Sequence, residues 1–372
     1  MVTHAEKIIH ELLSIVDVEI DGRRPWDIQV ADRRFFERAL SEGSLGIGEA
    51  FMDGWWSCAS IDGMISRVLA GHLQSRVRRS LPVLLAAARA RVTNRQKRAR
   101  AFNIGRKHYD LGNELYAATL DRGMNYSCGY WKNASTLDSA QEAKLELVCR
   151  KVGLEPGMRV LDIGCGWGGF AAHAAERYGA HVVGVTVSKE QAELAAKRCS
   201  GYPVEIRLQD YRSVKERFDR IVSIGMVEHV GYRNYRTFME TAARCLVPDG
   251  LFLLHTIGSN LSVHSTDPWL DRYIFPDGML PSVRQLAISA EGLFRLEDWH
   301  SFGSYYDRTL IAWAENFNRN WETVKDRYDD RFYRMWTYYL LSSAGSFRSK
   351  QNQLWQIVYS PIESPRTCES VR

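Results

Sequence analysis

The chain contains the sequence VLDIGCGWGG at residues 160–169. An apolar run that leads directly into a glycine-rich turn predicts a buried strand, then the turn, then a helix that begins near Phe170. Glycine has no Cβ, so it permits positive φ angles and lets backbone N–H groups approach a ligand at the start of a helix. We expect the side chain of Asp162, at the carboxyl end of the strand, to face that position.

A glycine turn after a strand also holds dinucleotides, so the turn alone does not identify the ligand. Here the acid lies inside the strand end, in the spacing Asp-x-Gly-x-Gly that begins at Asp162, and this resembles the S-adenosylmethionine site of class I methyltransferases. The next predicted strand, HVVGVTV at residues 181–187, carries Thr186 and is followed by Gln191, with no acid at the strand end to bind the ribose of NAD. The pattern therefore favours S-adenosylmethionine over NAD.

The composition is that of a soluble globular protein large enough for two domains. The chain has 372 residues, of which 45% are hydrophobic and 25% charged. The longest apolar stretch, residues 81–90, is interrupted by Arg89 and is too short to span a bilayer, and the N-terminus lacks the uninterrupted apolar core of a signal peptide. The seven cysteines are scattered without paired spacing, which favours a reducing cytoplasm and no structural metal site.

The net charge of +5 is distributed unevenly, because no acidic residue occurs between Asp62 and Asp110. This basic stretch includes Arg76, Arg78, Arg79, Arg89, Arg91, Arg95, Lys97, Arg98, Arg100, Arg106 and Lys107. It implies an anionic partner. An amphipathic helix that binds anionic phospholipid headgroups, a solvated helix that packs internally on its apolar side, and a surface for nucleic acid phosphates all fit this charge, which alone does not choose between them.

The pattern of the first 70 residues predicts a small mixed domain that is partly helical. It also predicts a loop with several glycines after one of the helices. Within it lies a cluster that we interpret as an aromatic-packed element of the fold, formed by Gly46, Gly48, Glu49, Trp55 and Trp56.

From Ser139 onward, helical and strand patterns alternate, which predicts βαβ units and a doubly wound, mostly parallel sheet. Residues 258–305 interrupt this alternation and are expected to form an irregular insertion. The carboxyl ends of parallel strands open into one crevice, so residues at the predicted strand ends should converge there. These residues are Asp162, Gly164, Thr186, Asp210, Tyr211, Glu228, His229, His255 and Ile257.

Several motifs together resemble the cyclopropane-fatty-acyl-phospholipid synthase family, over a span from about residue 10 to residue 358. In chain order they are YSCGYW, VLDIGCGWGG, VTVSKEQ, LQDYR, IGMVEHVG, LLHTIG, YIFPDGMLPS and FGSYYDRTL. The resemblance implies an N-terminal lipid-binding and dimerisation domain at 1–90, a basic linker at 91–107 and a Rossmann-like class I methyltransferase domain at 108–372. It also implies a homodimer, bound peripherally to the cytoplasmic face of the membrane, that acts on phospholipid acyl chains and not on nucleic acid.

The resemblance implies transfer of a methylene group from S-adenosylmethionine to the cis double bond of an acyl chain. Such a reaction passes through a carbocation, which must be shielded from water and must lose a proton to close the ring. In the family the base is a bound bicarbonate ion, and the matching positions here are Cys128 and Ile257 through their main chains and Glu228, His255 and Tyr306. The positions implied for cofactor binding are Tyr126, Ser127, Asp162, Gly164, Gly166, Thr186, Gln191, Asp210 and Tyr211.

Each of these residues also has a purely structural interpretation. Cys128 fits a buried apolar filler and His255 fits a satisfied core histidine, whereas an acid such as Glu228 needs a partner if it is buried. Some relatives carry a cysteine where this chain has Ser343, so a thiol role at that position does not apply here.

Three other functions compete with ring formation. A related lipid methyltransferase would convert the same cation into a methyl or methylene branch, and the sequence does not exclude it. A nucleic acid methyltransferase would be expected to carry an N-P-P-[YF] motif or a Pro-Cys pair, and neither occurs. A non-enzymatic binding protein on a methyltransferase fold is disfavoured by the intact set of Asp162, Gly164, Gly166 and Gln191.

The basic stretch yields a first prediction. Replacing Arg76, Arg78 and Arg79 together by glutamine should weaken binding to anionic phospholipid vesicles, with a larger effect at low salt than at high salt, because mobile ions screen surface charges. Vesicle sedimentation at two ionic strengths measures this. An unchanged affinity of the variant for the vesicles would contradict the interpretation that the basic stretch binds anionic phospholipid.

Overall fold

The computed structural model describes residues 3–72, 112–365 and 368–372. Most of the basic stretch, including Arg76, Arg78 and Arg79, lies outside these residues, as do both predicted domain boundaries, 90 and 107. Those predictions therefore stay predictions. The described chain forms two compact units. The first contains 3–72, His264–Pro276 and Tyr306–Asn352, and the second contains 112–263, Asp277–Tyr305 and 353–372 without the two undescribed residues.

The described helices and strands are numbered here in chain order. The helices are α1 (His4–Ser14), α2 (Arg34–Glu42), α3 (Ser44–Met52), α4 (Ile61–Ala70), α5 (Asn113–Thr119), α6 (Leu137–Lys151), α7 (Gly169–Tyr178), α8 (Lys189–Arg198), α9 (Tyr235–Cys245), α10 (Pro268–Tyr273), α11 (Val283–Ala290), α12 (Ser304–Asn320) and α13 (Asp330–Arg348). The strands are β1 (Gln29–Val30), β2 (Trp56–Ser57), β3 (Arg159–Ile163), β4 (His181–Thr186), β5 (Val204–Leu208), β6 (Phe218–Ile224), β7 (Leu246–Ser259), β8 (Phe294–Ser301) and β9 (Asn352–Pro361).

The first unit is mainly helical, with one small antiparallel pair, β1 and β2. The predicted glycine loop after α2 was wrong: Gly43 ends α2, and Gly46 and Gly48 lie inside a second helix, α3. The reason is tertiary packing, since a Cβ at Gly48 would lie 2.4 Å from the indole of Trp269. The missing side chain lets that ring pack against the helix backbone.

Two buried features hold α3 within the first unit. Trp56 lies 5.0 Å from Phe51 between ring centroids, within the predicted aromatic-packed element. The carboxyl group of Glu49, 6% exposed, accepts hydrogen bonds from the Tyr273 hydroxyl at 2.7 Å and from Arg38, and it forms an ion pair with Arg272 at 3.2 Å. A buried carboxylate with several charged or polar donors is well compensated, so this cluster joins α3 to the later segment that contains α10.

The second unit is built on a seven-stranded sheet with the order β5-β4-β3-β6-β7-β9-β8. The neighbouring pairs from β5 through β4, β3 and β6 to β7 are all parallel, and β8 and β9 pair antiparallel. The chain moves outward from β3 through β4 to β5, then returns to the other side of β3 with β6, so the strand order reverses between β3 and β6. Ligands bind at such a reversal point, outside the carboxyl ends of the strands.

Apolar side chains on the two faces of β3 enter different cores, as the two-residue period of a strand requires. Leu161 and Ile163 pack in one cluster with Phe238 of α9, whereas Val160 packs in the other with Phe170 of α7. The predicted fold class, a doubly wound and mostly parallel sheet with a smaller, partly helical N-terminal part, is thereby confirmed.

The stretch at 258–305, predicted to be irregular, instead contains the end of β7, two helices, the whole of β8 and the start of α12. Its helices have ordinary capping signals, because Asp267 caps α10 and Ser282 caps α11 through a capping box with Gln285. Part of the stretch, His264–Pro276, belongs to the first unit.

The close packing at Gly48 yields a second prediction. The Gly48→Ala substitution should destabilise the protein by about 1–3 kcal/mol, because the added methyl group would overlap the Trp269 ring. Thermal unfolding followed by circular dichroism measures the loss. The control is Ser44→Ala at the half-buried start of the same helix, and equal midpoints for both variants would contradict the packing.

Candidate active site

The turn after β3 is shaped by glycines in the left-handed region of backbone space. Gly164 has φ of +83°, and a Cβ there would lie 2.7 Å from the side chain of Met226. Gly168, with φ of +80°, precedes α7 and adopts the left-handed conformation. Residues with side chains rarely adopt these angles, so the glycines keep the turn narrow and its backbone accessible.

The turn forms one wall of a cleft of about 1250 Å³, part of which is open to solvent. All nine residues predicted to bind the cofactor line this cleft: Tyr126, Ser127, Asp162, Gly164, Gly166, Thr186, Gln191, Asp210 and Tyr211. The side chains come from the ends of β3, β4 and β5 and from the segment before α6, so the topology brings together residues that are far apart in sequence. Their individual roles stay predictions.

Local hydrogen bonds fix several of these side chains. The Thr186 hydroxyl donates to the side-chain oxygen of Gln191 at 2.8 Å, and Ser188 caps α8 by accepting from the Gln191 N–H. The Asp210 carboxylate accepts two hydrogen bonds from the guanidinium of Arg212, at 2.5 and 2.9 Å. Rigid support of this kind suits a preformed binding site.

Asp162 is the buried acid of the cleft. Its side chain is 2% exposed, and its Oδ2 atom has no hydrogen-bond partner among the described residues. Burial raises the pKa of Asp162 to about 7, and the positive charge of the nearby Lys144 limits the rise. Such a carboxyl group gains from a cationic ligand, since an opposite charge would restore its ionised form.

Glu228 is buried beyond the end of β6, on the single turn Val227–His229. Its Oε1 accepts a hydrogen bond from the backbone N–H of Ile257 at 2.7 Å, whereas its Oε2 has no partner in the described chain. Burial raises the pKa of Glu228 to about 7, although the N–H of Ile257 stabilises the charged form. The structure thus brings two of the predicted catalytic residues, Glu228 and Ile257, into direct contact.

His255 lies two residues before Ile257 on β7, so both side chains point to the same face of the sheet. Burial, with smaller contributions from Lys144 and Lys151, lowers the pKa of His255 well below its usual range, so the imidazole is neutral. Its Nδ1 lies 3.3 Å from the side-chain nitrogen of Gln356, and its Nε2 has no partner among the described residues. If Gln356 donates to Nδ1, then Nε2 carries the proton and is a hydrogen-bond donor.

An aromatic ring packs against His255 and connects it to the YSCGYW segment. Phe302 lies 5.9 Å from the imidazole centroid, and Tyr130, from the YSCGYW segment, lies 5.3 Å from Phe302. Cys128 of the same segment is fully buried, and its thiol donates to the carbonyl of Gly129 at 3.2 Å. The aromatic contacts therefore bring the YSCGYW segment next to the end of β7.

Tyr306, the remaining predicted catalytic residue, belongs to the first unit. Its ring stacks on Phe347 with centroids 4.5 Å apart and meets Trp313 edge-on at 5.9 Å. Ser343 lies half-buried on α13, in the same unit. The proposed contribution of Tyr306 to the catalytic site stays a prediction.

Sequence reasoning missed the buried polar face of α6. Lys144 lies in the cleft, 1% exposed, and Gln141 donates to the Ser127 carbonyl at 2.7 Å. Both residues occur at positions where the helical period places apolar residues such as Leu145 and Val148. The sequence signal that could have revealed this face is a lysine at a helix position where the period predicts a buried apolar residue.

None of the helices in the described part of the chain combines the length and apolar character that a bilayer-spanning segment needs.

Comparison with known proteins is consistent with this geometry. The family model described as mycolic acid cyclopropane synthetase matches residues 96–357. The chain belongs to this family. The cyclopropane-fatty-acyl-phospholipid synthase of Escherichia coli is 52% identical over 354 residues, covering 95% of this chain and 93% of the relative. A tuberculostearic acid methyltransferase of Mycobacterium tuberculosis is 35% identical, covering 84% of this chain and 78% of that protein.

Solved structures agree with the family assignment. A cyclopropane synthase from Mycobacterium tuberculosis superposes with a TM-score of 0.65 at 32% identity, covering 72% of this chain and 99% of the other. A mycolic acid cyclopropane synthase complexed with S-adenosylhomocysteine (SAH) and CTAB gives a TM-score of 0.64 at 33% identity. The match covers 69% of this chain and 97% of the other chain. The predicted class, an S-adenosylmethionine-dependent methyltransferase, is confirmed.

The buried acid of the cleft yields a third prediction. Because burial raises the pKa of Asp162 to about 7, part of its population is protonated at pH 7, and a ligand ammonium group should drive it to the ionised form. Binding of SAH at pH 7 should therefore release a fraction of a proton. Isothermal titration calorimetry in buffers of different ionisation enthalpy measures the release.

Two controls assign this proton. The Asp162→Asn variant should bind SAH without the release, and 5′-methylthioadenosine, which lacks the ammonium group, should release less from the unmodified protein. Equal release from the variant would assign the proton to another group.

Proposed function

We propose that this protein transfers a methylene group from S-adenosylmethionine to the cis double bond of unsaturated acyl chains in phospholipids, which forms a cyclopropane ring. The observation that carries the proposal is a pair of buried polar atoms, Glu228 Oε2 and His255 Nε2, that have no partner within the described residues of a chain of the cyclopropane synthetase family. The 52% identity to a cyclopropane-fatty-acyl-phospholipid synthase supports the phospholipid substrate.

The cleft fits the cofactor by chemistry. The glycine turn presents backbone N–H groups, Asp162 offers an unpartnered carboxylate oxygen, and the cleft includes both polar and apolar walls. S-adenosylmethionine combines a nucleoside, an amino acid and a sulfonium, and when bound it supplies the methyl group. Asp162, the turn at Gly164, Gln191 and Asp210 would hold it. The chain's contribution is to fix the position of that methyl group relative to a weakly nucleophilic double bond.

The surroundings of His255 suit a reaction that passes through a carbocation. Water would quench the cation, and the burial of His255 and Glu228 keeps water away from them. The rings of Phe302 and Tyr130 can stabilise positive charge through their faces without forming a bond to it.

Ring closure needs an acceptor for one proton, and we assign this role to a bicarbonate ion held by Glu228 and His255. Bicarbonate, when bound, takes the proton that the new methyl group loses. The neutral His255 can donate from Nε2, and Glu228, whose pKa of about 7 keeps it partly protonated, can donate or accept at Oε2. Ile257 orients Glu228 through its N–H. Cys128 through its main chain and Tyr306 through its hydroxyl complete the proposed set.

The acyl substrate lies in a membrane, so the enzyme must bind a lipid surface. We assign this contact to the N-terminal part, residues 1–90, together with the basic stretch that continues into the linker at 91–107. The charge of the stretch supports anionic headgroups as the partner. We propose a homodimer on the cytoplasmic face of the membrane, with the catalytic domain at 108–372.

A branched-chain product is the second candidate. The tuberculostearic acid methyltransferase that is 35% identical to this chain supports it, because its name indicates methylation of a fatty acid. Both reactions begin with the same methyl transfer, so only product analysis separates them.

The proton-handling pair yields a fourth prediction. With vesicles of unsaturated phospholipid and S-adenosylmethionine, the purified protein should form cyclopropane acyl chains, faster with added bicarbonate than in bicarbonate-depleted buffer. Glu228→Gln and His255→Ala should each lower ring formation by about 100-fold or more, the range expected when a proton-transfer group is lost. Gas chromatography with mass spectrometry of the acyl chains measures the products.

The control for these variants is SAH affinity, which should remain close to that of the unmodified protein because neither side chain lines the cofactor cleft. Loss of SAH binding in both variants would contradict the assigned roles. Methyl- or methylene-branched chains without a ring would replace the first candidate function by the second.

A further inference from the structure

A buried lysine in the cofactor cleft has no role in the family resemblance described above. We propose that Lys144 binds the α-carboxylate of the amino acid part of S-adenosylmethionine. The inference rests on the proposed function, because it requires that this cofactor occupies the cleft. Lys144 lies on α6, is 1% exposed and lines the cleft together with Asp162.

The contacts of Lys144 leave it able to bind a ligand. Its Nζ atom donates to Ser127 Oγ at 3.1 Å and to Asn125 Oδ1 at 3.4 Å. An ammonium group has three N–H donors, so one remains without an acceptor in the part of the chain that the structure describes. Both acceptors are neutral, and a buried cation without an anionic partner is costly. A carboxylate would supply that partner.

The other lysine or arginine along the described cleft wall does not have this freedom. Arg212 already forms a two-pronged ion pair with Asp210, so its charge is compensated within the protein. Lys144 forms no ion pair with any described carboxylate, although Asp121 and Asp162 are close enough to affect its pKa. Among the described residues that line the cleft, Lys144 is therefore the lysine or arginine without a direct ion pair, and it is available to a ligand carboxylate.

Charge complementarity extends to both ends of the amino acid. An amino acid brings one ammonium and one carboxylate, and the cleft wall contains one buried acid with an unpartnered oxygen, Asp162, and one buried cation, Lys144. Pairing each ligand charge with the opposite buried group would satisfy both sites without water.

A purely structural role is the competing explanation. Lys144 and Gln141 both bond the segment Asn125 to Ser127, so Lys144 could simply hold that segment in place. The two roles differ in one measurable respect. A structural role affects every ligand of the cleft, whereas carboxylate binding affects only ligands that carry the carboxylate.

The experiment measures binding of two probes to the full-length protein by isothermal titration calorimetry. SAH carries the amino acid, and 5′-methylthioadenosine lacks it. Lys144→Met should weaken SAH binding by about 10- to 100-fold, the loss expected for a charge-assisted hydrogen bond, and should leave 5′-methylthioadenosine binding close to that of the unmodified protein. Decarboxylated SAH should bind the variant and the unmodified protein equally.

Lys151 provides a matched control on the same helix. It is also a buried lysine, but it pairs with Asp298 at 2.9 Å and does not line the cleft. Lys151→Met should therefore leave the ratio of SAH to 5′-methylthioadenosine affinity unchanged. If Lys144→Met does not fold, the comparison of SAH with decarboxylated SAH on the unmodified protein replaces it, and equal affinities there would overturn the proposal.

Equal weakening of both probes by Lys144→Met would also overturn the proposal and leave Lys144 a structural residue. Absence of binding of either probe to the unmodified protein would overturn the proposed function as well. Selective loss of SAH binding in a protein that forms no cyclopropane product would support the carboxylate site and contradict only the proposed product.

Discussion

The removal of ionisable side chains from water is the constraint on which this site depends. Asp162, Lys144, Glu228 and His255 are each less than 9% exposed, and in each of them burial is the main influence on the pKa and favours the uncharged form. Three of the four have an atom without a partner among the described residues, and Lys144 has a donor without an acceptor there. Unsatisfied buried polar groups are unfavourable, so these atoms are the positions at which a bound ligand or an ordered water would stabilise the site most.

The same burial suits the proposed passage through a carbocation. A cation in water is captured by the solvent, whereas the buried surroundings of His255 and Phe302 keep solvent away. The cores on both faces of β3 and β7 make this possible, because they hold the strand ends rigidly and exclude water behind them. The catalytic requirement and the packing requirement are therefore met by the same strands.

The sequence predicted those parts of the structure that depend on residues close together in the chain. The strand and glycine turn around Asp162 follow from local patterns, and convergence of the strand ends follows from the rule for parallel sheets. The helix α3 was missed because its stability depends on Trp269, more than 200 residues away. The role of Lys144 was missed because it also depends on distant contacts. The helical period places this lysine on the buried face of α6, but only the folded structure shows that this face borders the cleft. The assignment of Tyr306 to the first unit is likewise a long-range outcome.

The choice between a ring and a branch depends on the fate of the carbocation, since both products begin with the same methyl transfer. Ring closure removes a proton from the new methyl group, so its acceptor must lie beside the carbon that has just arrived from the cofactor. A methylene branch also loses a proton from the transferred carbon, after the positive charge has moved to the chain carbon that bears it, whereas a saturated methyl branch requires a hydride donor. Among the described residues, Glu228, which follows β6, and His255, on the neighbouring β7, each have a side-chain atom without a partner, and β6 also contributes Ile224 to the cofactor cleft. A proton acceptor that lies next to the cofactor cleft suits loss of a proton from the transferred carbon, a step that the ring and a methylene branch share, and this geometry favours either product over a saturated methyl branch.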